Sequence, residues 1–162
     1  MTTEALFGLS VLMSFLAFGI VTKLYIWPRL QRMPRDGALI PLVAPHMFRF
    51  VGLSFLVPGV VSSSLPSAFA SPAAYGDLVA ALLAVIATLA LGARLFLAIP
   101  VVWLLNLWGS ADLLYAVYQG QIGAHVGAGS LGAAYFIPTV VVPPLLAIHG
   151  LIFWILLRPN KA

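Results

Sequence analysis

The chain has 162 residues, of which 62% are hydrophobic and only 7% charged, whereas a soluble domain carries about a quarter charged residues. Eight basic and four acidic side chains cannot cover a water-facing surface, so the composition excludes a soluble fold and makes the bilayer the solvent for most of the chain. The net charge of +4 is spread over the ends of apolar runs, which is not a nucleic-acid footprint, and without cysteine there is neither a disulfide framework nor a cysteine metal site.

The first apolar run covers about residues 5–27, long enough at 1.5 Å per residue to cross a hydrocarbon core of about 30 Å. It begins Met1-Thr2-Thr3-Glu4, without the positive charge that opens a signal peptide, and reads as a retained span. Lys23, Trp27 and Arg29 close it as an interfacial anchor. A polar connection with Arg32, Arg35, Asp36 and three prolines runs on to Pro45, and the second span is expected at about 46–65. From Ser71 to Tyr118 the chain is apolar for 48 residues, about twice what one helix needs. Gly92, Arg94 and Pro100 divide it into spans at about 73–92 and 95–118; the alternative is one bent helix and four spans in all. A glycine-rich segment, 119–132, leads to the last span at about 133–157, which ends in Arg158, Pro159, Asn160 and Lys161. The expected fold is all-α, a single transmembrane domain of five helices.

Charge tests this division independently. With the N-terminus outside and spans alternating, Lys23, Arg29, Arg32, Arg35, Arg49, Arg94, Arg158 and Lys161 all fall on or near one side. The positive-inside rule makes that side, with the C-terminus, cytoplasmic. Arginine outnumbers lysine six to two in an Ala/Gly/Val-rich chain, a composition typical of GC-rich bacteria, so the plasma membrane, here a bacterial inner membrane, is the expected location. In the third span Gly76, Ala80, Ala84, Thr88 and Gly92 recur every four residues. Such a ridge of small side chains lets helices approach closely, within the chain, in a homo-oligomer or in a larger membrane complex.

Ionisable groups inside a membrane are costly, so each is a candidate for function. Glu4 and Asp77 are expected at outer span ends, as solvated boundary charges. Arg49 follows His46 by three residues and shares its helix face in the cytoplasmic half, where His149 of the last span also falls. These three suit an anionic head group, a carboxylate or a proton relay; the structural alternative is an arginine snorkelling to lipid phosphate and two histidines bonded to backbone carbonyls. A second polar set, Asn106, Ser110, Asp112 and Tyr115, spirals toward the outer half of the fourth span. Asp112 there needs a partner or a proton, while Asn106 and Ser110 also serve as interhelical hydrogen-bond glue. Pro138, Pro143 and Pro144 interrupt the fifth span and are expected to free oxygens at Thr139 and Val140, either for a ligand or ion or as a plain kink.

Other signals are weaker. Gly127-Ala-Gly129-Ser-Leu-Gly132 spells a dinucleotide fingerprint but follows a membrane helix instead of a strand, so it reads as an outer loop, with His125 solvated in it. No metal site or cofactor is expected; haem held axially by His46 and His149 is the alternative. No catalytic constellation is recognisable, neither a serine paired with a base nor a close pair of carboxylates. In length and span count the chain is similar to the tryptophan-rich sensory proteins and to sterol-isomerase-like five-helix proteins, both binders of lipophilic ligands. That likeness rests on size alone and assigns no residue a role. The expectation is a bundle that binds a lipophilic or amphipathic molecule among membrane lipids. An oligomeric transporter or ion-coupled permease, an intramembrane enzyme and an accessory subunit are the alternatives.

Overall fold

The computed structural model describes residues 1–158; the expected Pro159, Asn160 and Lys161 anchor lies outside the described residues. Five helices are long and apolar enough to cross a membrane: α1 (Thr3–Leu30), α2 (Arg35–Leu56), α3 (Ser67–Gly92), α4 (Ala98–Gly123) and α5 (Ile137–Leu156). The four-span alternative fails because the helix stops at Gly92, and Arg94 adopts a left-handed φ of 52° in the turn before α4. Prolines within spans are absorbed by widened turns. Pro28 follows a π-turn at Thr22–Ile26 and Pro138 lies in another at Ile137–Val141, where the backbone bonds one residue further back than in an α-helix.

The second helix differs most from the hydropathy reading, and the third begins at Ser67 instead of residue 73. The second helix begins at Arg35 and ends at Leu56, so it is not a 46–65 span. Pro34 stands at its N-terminal cap, and Pro41 and Pro45 are carried inside it. Three prolines resemble a loop in sequence, yet each is tolerated near a helix start or where the winding changes. The winding does change: Arg35–Val43 is α-helical and Ala44–Leu56 is a 3-10 helix of 13 residues, far longer than the usual single turn. With three residues per turn, His46, Arg49, Gly52 and Phe55 eclipse one another, and all four are buried. An α-helix would rotate each about 60° from the one before and turn Phe55 away from His46.

Lys23, Arg29, Arg35, Arg94 and Arg158 mark one end of the bundle, where Trp27 of α1 stacks on Trp154 of α5 at 4.3 Å. There the Arg158 guanidinium lies 3.2 Å over the Trp154 ring, and Arg35 donates to the Leu156 carbonyl at 2.8 Å. Arg49 is not part of this basic end. Nine α-helical and six 3-10 residues carry it roughly 25 Å up α2.

The basic half has a continuous apolar core that includes Leu39, Val43, Ala84, Val102, Leu105 and Ile152. A smaller apolar cluster around Phe55, Phe69, Ala74 and Ile137 lies toward the other end. There the 57–66 and 124–135 loops are stitched together, Ala133 N–H donating to Val60 O and Ser62 N–H to Ser130 O. Gly132 makes that seam possible: its φ is 54°, and a Cβ would strike the Val60 carbonyl. α3 is the central helix, packed against the 3-10 half of α2 and against α4. Its small-residue face is Gly76, Asp77, Ala80, Ala84, Ala87 and Leu91, all buried, whereas Gly92 is exposed. The expected four-residue ridge therefore does not run straight, because each step of four turns about 40° further round the helix. α1 is peripheral. Over Thr3–Val21 it has no buried residue and leans on α5 and the 128–135 segment; only Leu30 at its far end enters the core.

Candidate functional site

Counted from the end opposite the basic one, Arg49, Asp77 and Asp112 each lie about 15 Å along their own helix. They meet. Arg49 donates through Nε to Asp77 Oδ1 at 2.7 Å, through Nη2 to Asp112 Oδ2 at 2.5 Å and through Nη1 to the Gly109 carbonyl at 3.2 Å. Its side chain has no exposed surface, and those of the two aspartates keep only about a tenth. Each arm of the guanidinium addresses a different acceptor, which a lysine ammonium on its flexible stem does not reproduce.

A neutral polar set adjoins this ion triad. His149 Nδ1 bonds Asn106 Oδ1 at 2.7 Å, and Asn106 Nδ2 donates back to the His149 carbonyl at 3.3 Å. The His46 ring stacks on His149 with centroids 4.2 Å apart. Neither nitrogen of His46, nor Nε2 of His149, has a hydrogen-bond partner among the described residues. Gly109 joins the two sets: a Cβ there would stand 2.7 Å from Arg49 Nη1 and 2.8 Å from His149 Nε2.

Three glycines make room for these groups. Asp77 lies against Gly52, Asp112 against Gly76, and Arg49 with His149 against Gly109; a methyl group at any of the three positions would collide with the side chain it faces. On the basic side, the polar layer is sealed one turn away by Val43, Val102 and Ile152, none of which has exposed surface.

Two sequence expectations change here. Asp77 is not a solvated boundary charge: it is buried and paired with Arg49. Nor are there two polar sites in separate halves, because His46, Arg49, His149, Asn106 and Asp112 form one continuous layer. Two carboxylates thus share one guanidinium, a close pair that chain spacing does not reveal. The signal that finds Asp77 is charge balance. An arginine inside a bundle needs an anion, and only two acidic residues fall in the spans near it.

The remaining candidates lie elsewhere. Tyr115 is exposed and accepts from Gln119, and Ser110 turns its hydroxyl back to the Asn106 carbonyl. Val140 O accepts from Ser14 of α1 at 3.4 Å, and the Thr139 hydroxyl caps Tyr135 O, so the broken fifth helix is stitched locally. The rings of His46 and His149 lie against each other, with no space between them for a macrocycle in this arrangement. Exposed His125 bonds the Gln121 carbonyl within its loop.

Next to the ion triad, between α1, α4 and α5, lies a cavity of about 610 Å³. Its walls are mostly apolar, from Phe7 and Val11 of α1 through Phe69 of α3 and Leu113 of α4 to Val142 of α5; Asp77 and Asp112 stand at its polar floor and Glu4 at its rim. A second groove of about 540 Å³ between α1 and α5 is lined by apolar residues, Thr22 and Lys23, and holds no carboxylate.

Fold and site together define a five-helix apolar bundle built round a buried charge network. Residues 6–157 match the family described as "Domain of unknown function (DUF8737)", and the chain belongs to it. No curated protein and no solved structure matches.

Proposed function

We propose that this chain is a multi-pass membrane protein that binds an amphipathic small molecule inside its helix bundle, the apolar body in the cavity between α1, α4 and α5 and the polar end on Asp77 and Asp112. The carrying observation is the cavity's composition: apolar walls round a few convergent polar groups, within the 300–1,000 Å³ range usual for small-molecule sites. Three glycines that admit the charged side chains support it, because such a layer is costly to bury and these backbones are shaped to hold it. With the N-terminus outside, as the charge distribution favours, the cavity faces the outer leaflet of a bacterial inner membrane. α1, having no buried residue over Thr3–Val21, is the wall a ligand arriving from lipid would displace most easily.

The apolar seal of Val43, Val102 and Ile152 favours binding from one side over passage through the bundle, so transport ranks below binding. The test is extraction of the purified protein from its native membrane, followed by mass spectrometry of what it retains. Retention of a defined amphiphile, altered in Asp112→Asn, is the expected result. A delipidated protein that carries nothing and rebinds nothing would sink the reading.

A further inference from the structure

The chain carries a net charge of +4, yet three of its four acidic residues, Glu4, Asp77 and Asp112, line one cavity and no lysine or arginine does. The cation that meets them from behind is Arg49, and its donors are directed to Asp77, Asp112 and the Gly109 carbonyl. One guanidinium compensates one ionised carboxylate, so in this apolar interior the second aspartate is held either as the neutral acid by a proton or as a carboxylate by a further positive charge.

The groups packed round the triad do not supply that charge. α2 offers His46, stacked on His149; α5 offers His149, bonded to Asn106 of α4; α1 offers only the acidic Glu4 at the rim. Lys23, Arg29, Arg35, Arg94 and Arg158 stand at the far end of the bundle, beyond the apolar core. Each aspartate also uses only one oxygen on Arg49. Asp77 Oδ2 and Asp112 Oδ1, which lie against Gly52 and Gly76, have no protein donor among the described residues, and both side chains line the cavity. Phe7, Phe15, Phe55 and Phe69 line the same space, and aromatic faces attract cations.

We infer that the cavity takes an amphiphile carrying a single positive charge, with its cationic head against Asp77 and Asp112 and its apolar tail between α1 and α4. This rests on the proposed binding function and names its ligand class. An amine or quaternary ammonium head lets both aspartates ionise in balance with Arg49; a neutral head leaves the second aspartate needing a proton, and an anionic head meets like charge.

The experiment uses three probes with the same ten-carbon tail, decyltrimethylammonium, decanol and decanoate. Each is titrated below its micelle-forming concentration against the full chain in phosphatidylcholine nanodiscs, with protein-free nanodiscs subtracted. The cationic probe is expected to bind at least tenfold more tightly than decanol, with decanoate weakest. Asp112→Asn is expected to bring the cationic-to-neutral ratio toward one. Gly8→Phe, which fills the cavity from α1 at a position where a Cβ meets nothing within 4 Å, is expected to lose both. If decanol or decanoate binds as well as the cation, the charge assignment is overturned while the binding function stands. If no probe binds above the empty disc, both fall. Should Asp112→Asn fail to fold, the three-probe ratio of the unsubstituted protein still decides.

Discussion

The two halves of the bundle are built on different terms. Toward the basic end, Leu39, Val43, Leu105 and Ile152 close on the alanines of α3, and no buried charge interrupts them. Toward the other end, the same helices enclose an arginine, two aspartates and two histidines, and beyond these a cavity. In lipid, apolar burial does not by itself drive helices together; packing and interhelical hydrogen bonds do. The basic half is thus held by packing, and the other half by interhelical hydrogen bonds and ion pairs beside a space.

The largest effect is expected at the triad. Arg49→Gln strands two buried carboxylates and should cost about 3–5 kcal/mol, read as a loss of folded protein in thermal or denaturant unfolding in detergent. Adding Asp77→Asn and Asp112→Asn should recover much of that loss, since removing a whole buried ion group is far less damaging than removing one partner. No recovery would mean that Arg49 acts through packing.

In the basic half, Ile152→Ala should cost about 2 kcal/mol by opening a void in the core, with no change in the molecule retained. A change in retention would deny the separation between the halves. Gly109→Ala should cost about 1–3 kcal/mol by overpacking, because its methyl group has to displace Arg49 or His149. Unlike Ile152→Ala, it should also disturb retention. Asn106→Leu removes the bond that orients His149 and should cost about 1 kcal/mol. The smallest stability change is expected for Gly8→Phe, which adds volume where there is room and leaves the polar layer untouched.

Five helices were legible because hydropathy and length suffice to define a span, and the basic end was legible because every described arginine or lysine but Arg49 lies at a helix end. The site was legible only as separate pieces. Hydropathy sets Arg49 too near the basic end because its helix starts eleven residues before His46 and switches to 3-10 winding, whose longer rise and three-residue period no hydropathy profile reports. A span that begins at residue 73 puts Asp77 at a boundary, whereas the helix begins at Ser67 and carries it inside. The pairing of Gly52, Gly76 and Gly109 with the groups they admit is a tertiary match between helices, and no periodicity within one helix encodes it.

An internal binding site is tested most directly by where a ligand sits. A decyltrimethylammonium probe bearing a diazirine in its tail, photolysed with the protein in nanodiscs and mapped by peptide mass spectrometry, should label cavity walls such as Val11, Leu113 and Leu146 and be competed by unlabelled probe. Labelling confined to outward-facing positions such as Leu82 and Leu89, without competition, would show that the probe merely dissolves in the surrounding lipid and would contradict an internal binding site.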